Sequence, residues 1–175
     1  MRIQDVIKAI NQMQADGLIE RYAIGGAVGA TFYLEPFATL DVDIFINFKP
    51  DAGSLIISLQ PIFDYFKIRG GTIEGEYTMI AGWPVQFLPP NTPLVEEALA
   101  QAVPHDVEGT TAQVFTAEHL AAITLQTGRA KDKARLLQFL EAGVLEATRF
   151  QAVLSRHGLA DAWKKFERQF LGNES

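Results

Sequence analysis

Residues 22–47 decide the fold. They read Tyr22-Ala23-Ile24-Gly25-Gly26-Ala27-Val28-Gly29-Ala30-Thr31, then Phe32-Tyr33-Leu34-Glu35-Pro36-Phe37-Ala38-Thr39-Leu40, then Asp41-Val42-Asp43-Ile44-Phe45-Ile46-Asn47. A short apolar strand (22–24) runs into a glycine pair, a helix is expected behind it, and a second apolar strand carries two aspartates. Side chains two apart on a strand share a face. Asp41 and Asp43 therefore stand together, beside glycines at a helix start where main-chain N–H groups attract anions. Paired hard oxygen donors next to such a turn suit Mg²⁺ and a triphosphate. Each half alone is commonplace, since Asp-x-Asp often marks a solvated strand end and Gly-Gly a tight turn. Their order and strand context make the combination specific.

Outward from this stretch, apolar residues at Ile3, Val6, Ile7 and Ile10 predict a helix over 3–15, ended by Asp16-Gly17. The segment 18–24 leads into the first strand, 27–34 reads as a short helix stopped before Pro36, and 42–48 is a strand. Pro50-Asp51-Ala52-Gly53 predicts a turn and 55–66 a helix. Alternation over 72–81 predicts one half-buried strand, Ala81-Gly82 a hairpin turn, and 83–88 the returning strand. Helix is expected over 93–101, and two short strands around Gly109 over 105–115. Thr116 then reads as an N-cap, with His119 in the capping-box position. Helices follow over 118–127, 130–142, 145–156 and 159–171. The pattern is α+β: residues 1–115 as a mixed sheet with flanking helices, and residues 116–175 as a helical region packed on it.

The 175 residues suffice for one domain with a real core. At 48% apolar and 21% charged the composition is that of a globular protein. No apolar run is long enough to cross a bilayer and the first residues lack a signal-peptide core, so a cytoplasmic location is expected. The absence of cysteine excludes disulfides and thiolate metal sites. A net charge of −6 argues against bulk attraction to nucleic acid, although a local basic patch is compatible with RNA.

The arrangement of Gly25-Gly26 after a strand and Asp41-x-Asp43 on the next resembles the nucleotidyltransferase superfamily, in particular AbiEii-like and related small bacterial nucleotidyltransferases. Thr39, two before the first aspartate, matches those proteins, whereas Phe37 stands where arginine is common. A second resemblance lies at Glu118–Lys133: Lys131-Asp132 falls on the family's Lys-Asp pair, Thr124 replaces a usual lysine, and Arg135 stands near a second acidic position. Together these cover about residues 3–142. The resemblance implies a nucleotidyltransferase-like mixed sheet flanked by helices, with a helical C-terminal part. It also implies Mg²⁺ or Mn²⁺ on Asp41 and Asp43, and an NTP donor held by Gly25, Gly26, Thr39 and Lys131, with Asp132 orienting the lysine. The acceptor would be a hydroxyl on a protein, RNA or small molecule. Relatives of this size often act as toxins, which brings a cognate antitoxin in as an expected partner.

The superfamily's third carboxylate would fall at Gln86, in Trp83-Pro84-Val85-Gln86-Phe87-Leu88. A glutamine carbonyl can touch a metal, but it adds no charge and is no general base. Glu76 is the candidate replacement, as an added metal ligand, if the preceding strand places it diagonal to Gln86. Three readings stay open: an active nucleotidyltransferase, a degenerate member that binds nucleotide or a partner without catalysis, and an unrelated α+β domain. Arg129, Lys131, Lys133 and Arg135 form a basic cluster that is either a phosphate-reaching set or a solvated helix face. His105, His119 and His157 lack metal-ligand spacing and read as surface or capping residues. Trp163, Phe166 and Phe170 form a core or partner-facing stripe.

Overall fold

The computed structural model describes residues 2–35, 41–48 and 58–172. Val6, Ile7, Ile10 and Met13 give helix α1 (Ile3–Ala15) one buried face. Strand β1 (Ile19–Gly25), helix α2 (Gly26–Ala30) and strand β2 (Val42–Phe48) follow. After α3 (Gln60–Ile68) come β3 (Thr72–Glu74), β4 (Tyr77–Ile80) and β5 (Trp83–Leu88). Helix α4 (Pro93–Ala100) precedes the hairpin β6 (Val103–Val107) and β7 (Thr110–Val114). The rest is helical: α5 (Ala117–Thr127), α6 (Ala130–Ala142), α7 (Ala147–Arg156), α8 (Ala160–Phe166) and a π-helical turn (Glu167–Leu171).

The strands form one mixed sheet in the order β3-β4-β5-β2-β1-β7-β6. β2 runs parallel to β5 and antiparallel to β1, and β1 runs parallel to β7. Alternation along β2 divides the molecule. Val42, Ile44 and Ile46 point into a hydrocarbon layer with Val6, Ile7 and Ile10 of α1 and Ile62 and Phe66 of α3. Phe45 points the other way, toward the layer that Phe115 and helices α4 to α8 build. The architecture is α+β, a mixed sheet flanked by helices with a helical C-terminal region.

Several expected elements differ. The segment 72–81 is two strands rather than one, because Gly75-Glu76 forms a two-residue turn between Glu74 and Tyr77. Gly75 has φ +64, the positive value that the first central position of a type II′ turn demands. The second hairpin turn falls at Ala81-Gly82, as expected, and both residues have positive φ. α2 ends at Ala30, four residues short of the expected end. α3 begins at Gln60 instead of residue 55, and the 50–53 turn lies outside the described residues. The last helix loosens at Glu167 into the π turn. Part of its aromatic stripe belongs to the core: Trp163 stacks on the buried Phe166 at 5.7 Å and packs edge-on against Phe150, whereas Phe170 is exposed.

Candidate functional site

The sheet register builds the site as a row across the strands. Gly25 of β1 pairs with Asp43 of β2, and Asp43 pairs with Gln86 of β5. On β4, Thr78 pairs with Val85, so the next position outward, Tyr77, stands opposite Gln86. Tyr77 in turn pairs with Glu74 at the sheet edge. Asp41, two residues before Asp43, shares its face. That face is the one turned toward α5 and α6, because Val42 and Ile44 fill the other.

Gly26 abuts the row. A Cβ built on it would lie 2.2 Å from Asp43 Oδ2, and its φ is +57. Any side chain there would displace the carboxylate and strain the backbone. The glycine thus brings main-chain N–H groups and the Asp43 carboxylate to the same open space. With only five residues, α2 adds little macrodipole, so the turn's own N–H groups are the anion-attracting element.

The acidic pair is crowded. Burial pushes Asp43 up to about 6, and the Asp41 charge and a hydrogen bond shared with Asp41 add to the shift. Arg135 and then Lys131 pull it back. These two cations are four residues apart on α6 and so share a helix face. Lys131 is exposed, and Arg135 is partly buried with its own pKa lowered by that burial. A cavity of about 280 Å³ opens at Asp43, lined also by Gly26, Phe45 and Phe115, with Thr92 and Arg135 among its polar groups. This is close to the lower size of small-molecule sites.

Asp41, Asp43, Gly25, Gly26 and Gln86 are therefore brought together, and Lys131 faces them electrostatically. Asp132 does something other than orient Lys131. It is buried, and it accepts from Arg129 Nε at 2.7 Å, from the Arg129 main-chain N–H at 3.2 Å and from Thr127 Oγ1 at 2.9 Å. It fixes the α5–α6 corner. Glu76 is not diagonal to Gln86 on a strand, since it sits in the β3–β4 turn, and Tyr77 takes the place across from Gln86. Thr39 and Phe37 lie outside the described residues. Among the described residues no three His, Cys, Asp or Glu side chains cluster as a metal site.

Sequence reasoning missed Tyr77, because the polar-apolar pattern over 72–81 reads as one unbroken strand and hides the two-residue turn that pairs Glu74 with Tyr77. Gly75 was the available signal. It also treated the histidines as scattered, yet two of them meet. His119 Nε2 lies 2.8 Å and His157 Nε2 3.3 Å from Glu97 Oε2, and Arg156 Nε donates to Glu97 Oε1 at 2.8 Å. Thr116 does cap α5, accepting from the His119 N–H at 3.1 Å.

Three solved structures share this fold over most of the chain. An antigenic nucleotidyltransferase-like protein from Paracoccidioides brasiliensis superposes with a TM-score of 0.60 at 15% identity, covering 92% of this chain and 91% of that one. The solution structure of the antibiotic-resistance factor ANT(2'')-Ia gives 0.53 at 12% identity over 98% of each chain. A crystal structure of ANT(2'')-Ia in complex with adenylyl-2''-tobramycin gives 0.50 at 13% identity, covering 86% and 95%. The fold is nucleotidyltransferase-like. No family model and no curated relative matches the chain. Among the described residues no helix is long and apolar enough to cross a membrane.

Proposed function

We propose that this chain transfers a nucleotidyl group from an NTP to a hydroxyl acceptor on a protein, RNA or small molecule, with Mg²⁺ or Mn²⁺ as cofactor. The observation that carries the reading is the close approach of the Gly26 backbone to the Asp43 carboxylate, with no room for a side chain between them; it supports a main-chain phosphate cradle beside the crowded carboxylate pair. Asp41 and Asp43 fit a hard divalent cation: two oxygen donors that repel each other are relieved by a positive charge between them. Bound there, the ion would screen the polyphosphate charge and polarise the α-phosphorus. The other roles belong to the chain. The Gly25-Gly26 turn lets N–H groups approach the phosphates, and Lys131 and Arg135 add positive charge from α6. Asp132 keeps that helix start in place through Arg129. Gln86 lies in the row but takes no proton, so it positions rather than acts as base. The adenylylated sugar in a fold neighbour supports keeping small-molecule hydroxyls among the acceptors.

α-Labelled NTPs with Mg²⁺ and pools of RNA, protein and small-molecule acceptors test the reading. Transfer that disappears in Asp43→Asn is the expected result. Mg²⁺-dependent stabilisation by NTP without transfer would replace it with the degenerate, binding-only reading, and no stabilisation by any NTP would end both. A toxin role within a toxin–antitoxin pair rests on the family resemblance. It requires growth arrest on expression that Asp43→Asn abolishes.

A further inference from the structure

The row Gly25–Asp43–Gln86 continues to Tyr77, whose phenol shares the face of the acidic pair. Nucleotidyl transfer is an in-line displacement, so the entering and leaving oxygens lie on opposite sides of the phosphorus. With the polyphosphate at the Gly25-Gly26 end, the entering group must come from the Gln86 and Tyr77 end. Strands are about 4.8 Å apart, and a tyrosine side chain reaches farther than one such spacing. We infer that Tyr77 is an acceptor for this chain's own nucleotidyl transfer, the phenol that the sheet register sets at the acceptor end of the site.

The inference rests on the transfer reading above and names an acceptor for it. The other three tyrosines are committed elsewhere. Tyr22 is buried and donates to Asn11 Oδ1 at 2.7 Å, Tyr33 donates to the Phe115 carbonyl at 2.7 Å, and Tyr65 donates to Asp16 Oδ2 at 2.6 Å on the far face of the sheet. Tyr77 is part-exposed, and its hydroxyl interacts first with Glu76 and then with the charges of Asp41 and Asp43. A nucleophile beside a carboxylate base is the usual pairing for such a step. The phenolic oxygen bonds to the α-phosphorus, the bond to the pyrophosphate oxygen breaks with its electron pair, and the phenolic proton passes to Glu76. The products are the tyrosyl nucleotide and pyrophosphate. Because the register places Tyr77 in the chain's own site, the reaction runs within one molecule.

The test incubates the intact chain with Mg²⁺ and each α-labelled NTP, then maps label by peptide mass spectrometry. The expected result is uptake approaching one nucleotidyl group per chain at Tyr77. It is lost in Tyr77→Phe and Asp43→Asn, kept in Tyr65→Phe, and proceeds at a fractional rate independent of protein concentration. Mixing Asp43→Asn with Tyr77→Phe chains should give no label, and label in that mixture would overturn the intramolecular placement. Label that persists in Tyr77→Phe overturns the inference, as does a wild-type chain that binds Mg²⁺-NTP yet stays unlabelled. Neither touches transfer to added acceptors, which is scored separately. No Mg²⁺-NTP stabilisation at all overturns both.

Discussion

Asp43 and Glu97 are carboxylates with cationic neighbours, yet they sit in opposite electrostatic states. Asp43 is pushed up to about 6, by burial and by Asp41 beside it, and its cations, Arg135 and Lys131, offset this only in part. Glu97 is held down to about 2 by hydrogen bonds from Arg156, with His119 and His157 adding to it against the opposing effect of burial. Glu97 has its counter-charges built in and ties α4 to α5 and α7. Asp43 lacks its full complement and faces an open cavity. A carboxylate whose charge is already answered by the chain is structural, whereas one left short of positive charge is placed to receive it from a ligand.

The sharpest way to break this contrast is Asp43→Asn. Transfer should fall by about three orders of magnitude or more, equivalent to a barrier increase on the order of 4 kcal/mol. The same substitution relieves the repulsion with Asp41, so without divalent metal the variant should melt no lower than wild type. A large loss of metal-free stability would mean that Asp43 is a second Glu97. Gly26→Ala attacks the same end through the backbone. It should abolish transfer and destabilise the chain by about 2 kcal/mol, since a Cβ at φ +57 is strained and meets the Asp43 carboxylate. Urea unfolding together with the labelled-NTP assay measures both.

Much of this contrast was legible in the sequence on the Asp43 side and little of it on the Glu97 side. The Gly25-Gly26 turn, the Asp41-Val42-Asp43 alternation and the bounds of α1, β2, β5 and α6 are local features, set by period and punctuation within a few residues. Gln86 was singled out through the family resemblance alone, and its pairing with Asp43 comes from the sheet register. The Glu97 cluster joins residues from three helices, and no spacing along the chain announces it. The row's extension to Tyr77 depended on a two-residue turn that pairs Glu74 with Tyr77 and so reverses which residues of the alternation share a face. Asp132 was expected to orient Lys131 because the family resemblance pairs them, but a helix start directs an acid at its third position back to the N-cap residue, which is Arg129.

Glu97→Gln tests the built-in side. It should destabilise the chain by about 2 kcal/mol near neutral pH, through loss of charge-assisted hydrogen bonds from Arg156 and His119. The pH dependence has a definite sign. The folded pKa of Glu97 lies below its ordinary 4.5, so its stabilisation is fully present above about 4.5 and is lost as pH falls toward about 2. The stability gap between wild type and Glu97→Gln should be flat above that window and close within it. A gap that widens on acidification would contradict the cluster.

Asp132 supplies the intermediate case and the smallest expected effect. It is buried like a site carboxylate, but its pKa is lowered by hydrogen bonds from Arg129 and Thr127 that outweigh its desolvation. Arg129 itself is mostly exposed, so water and salt screen its half of the pair. Arg129→Ala should therefore cost only about 0.5–1 kcal/mol, because the Thr127 hydroxyl and the main-chain N–H of residue 129 still reach the carboxylate. If the α5–α6 corner only positions Lys131 and Arg135, transfer should fall less than about tenfold, through KM for the nucleotide more than through kcat. A loss as deep as that of Asp43→Asn would move Arg129 from support of the corner to direct contact with the phosphates, and the boundary between the two kinds of carboxylate would have to be redrawn around it.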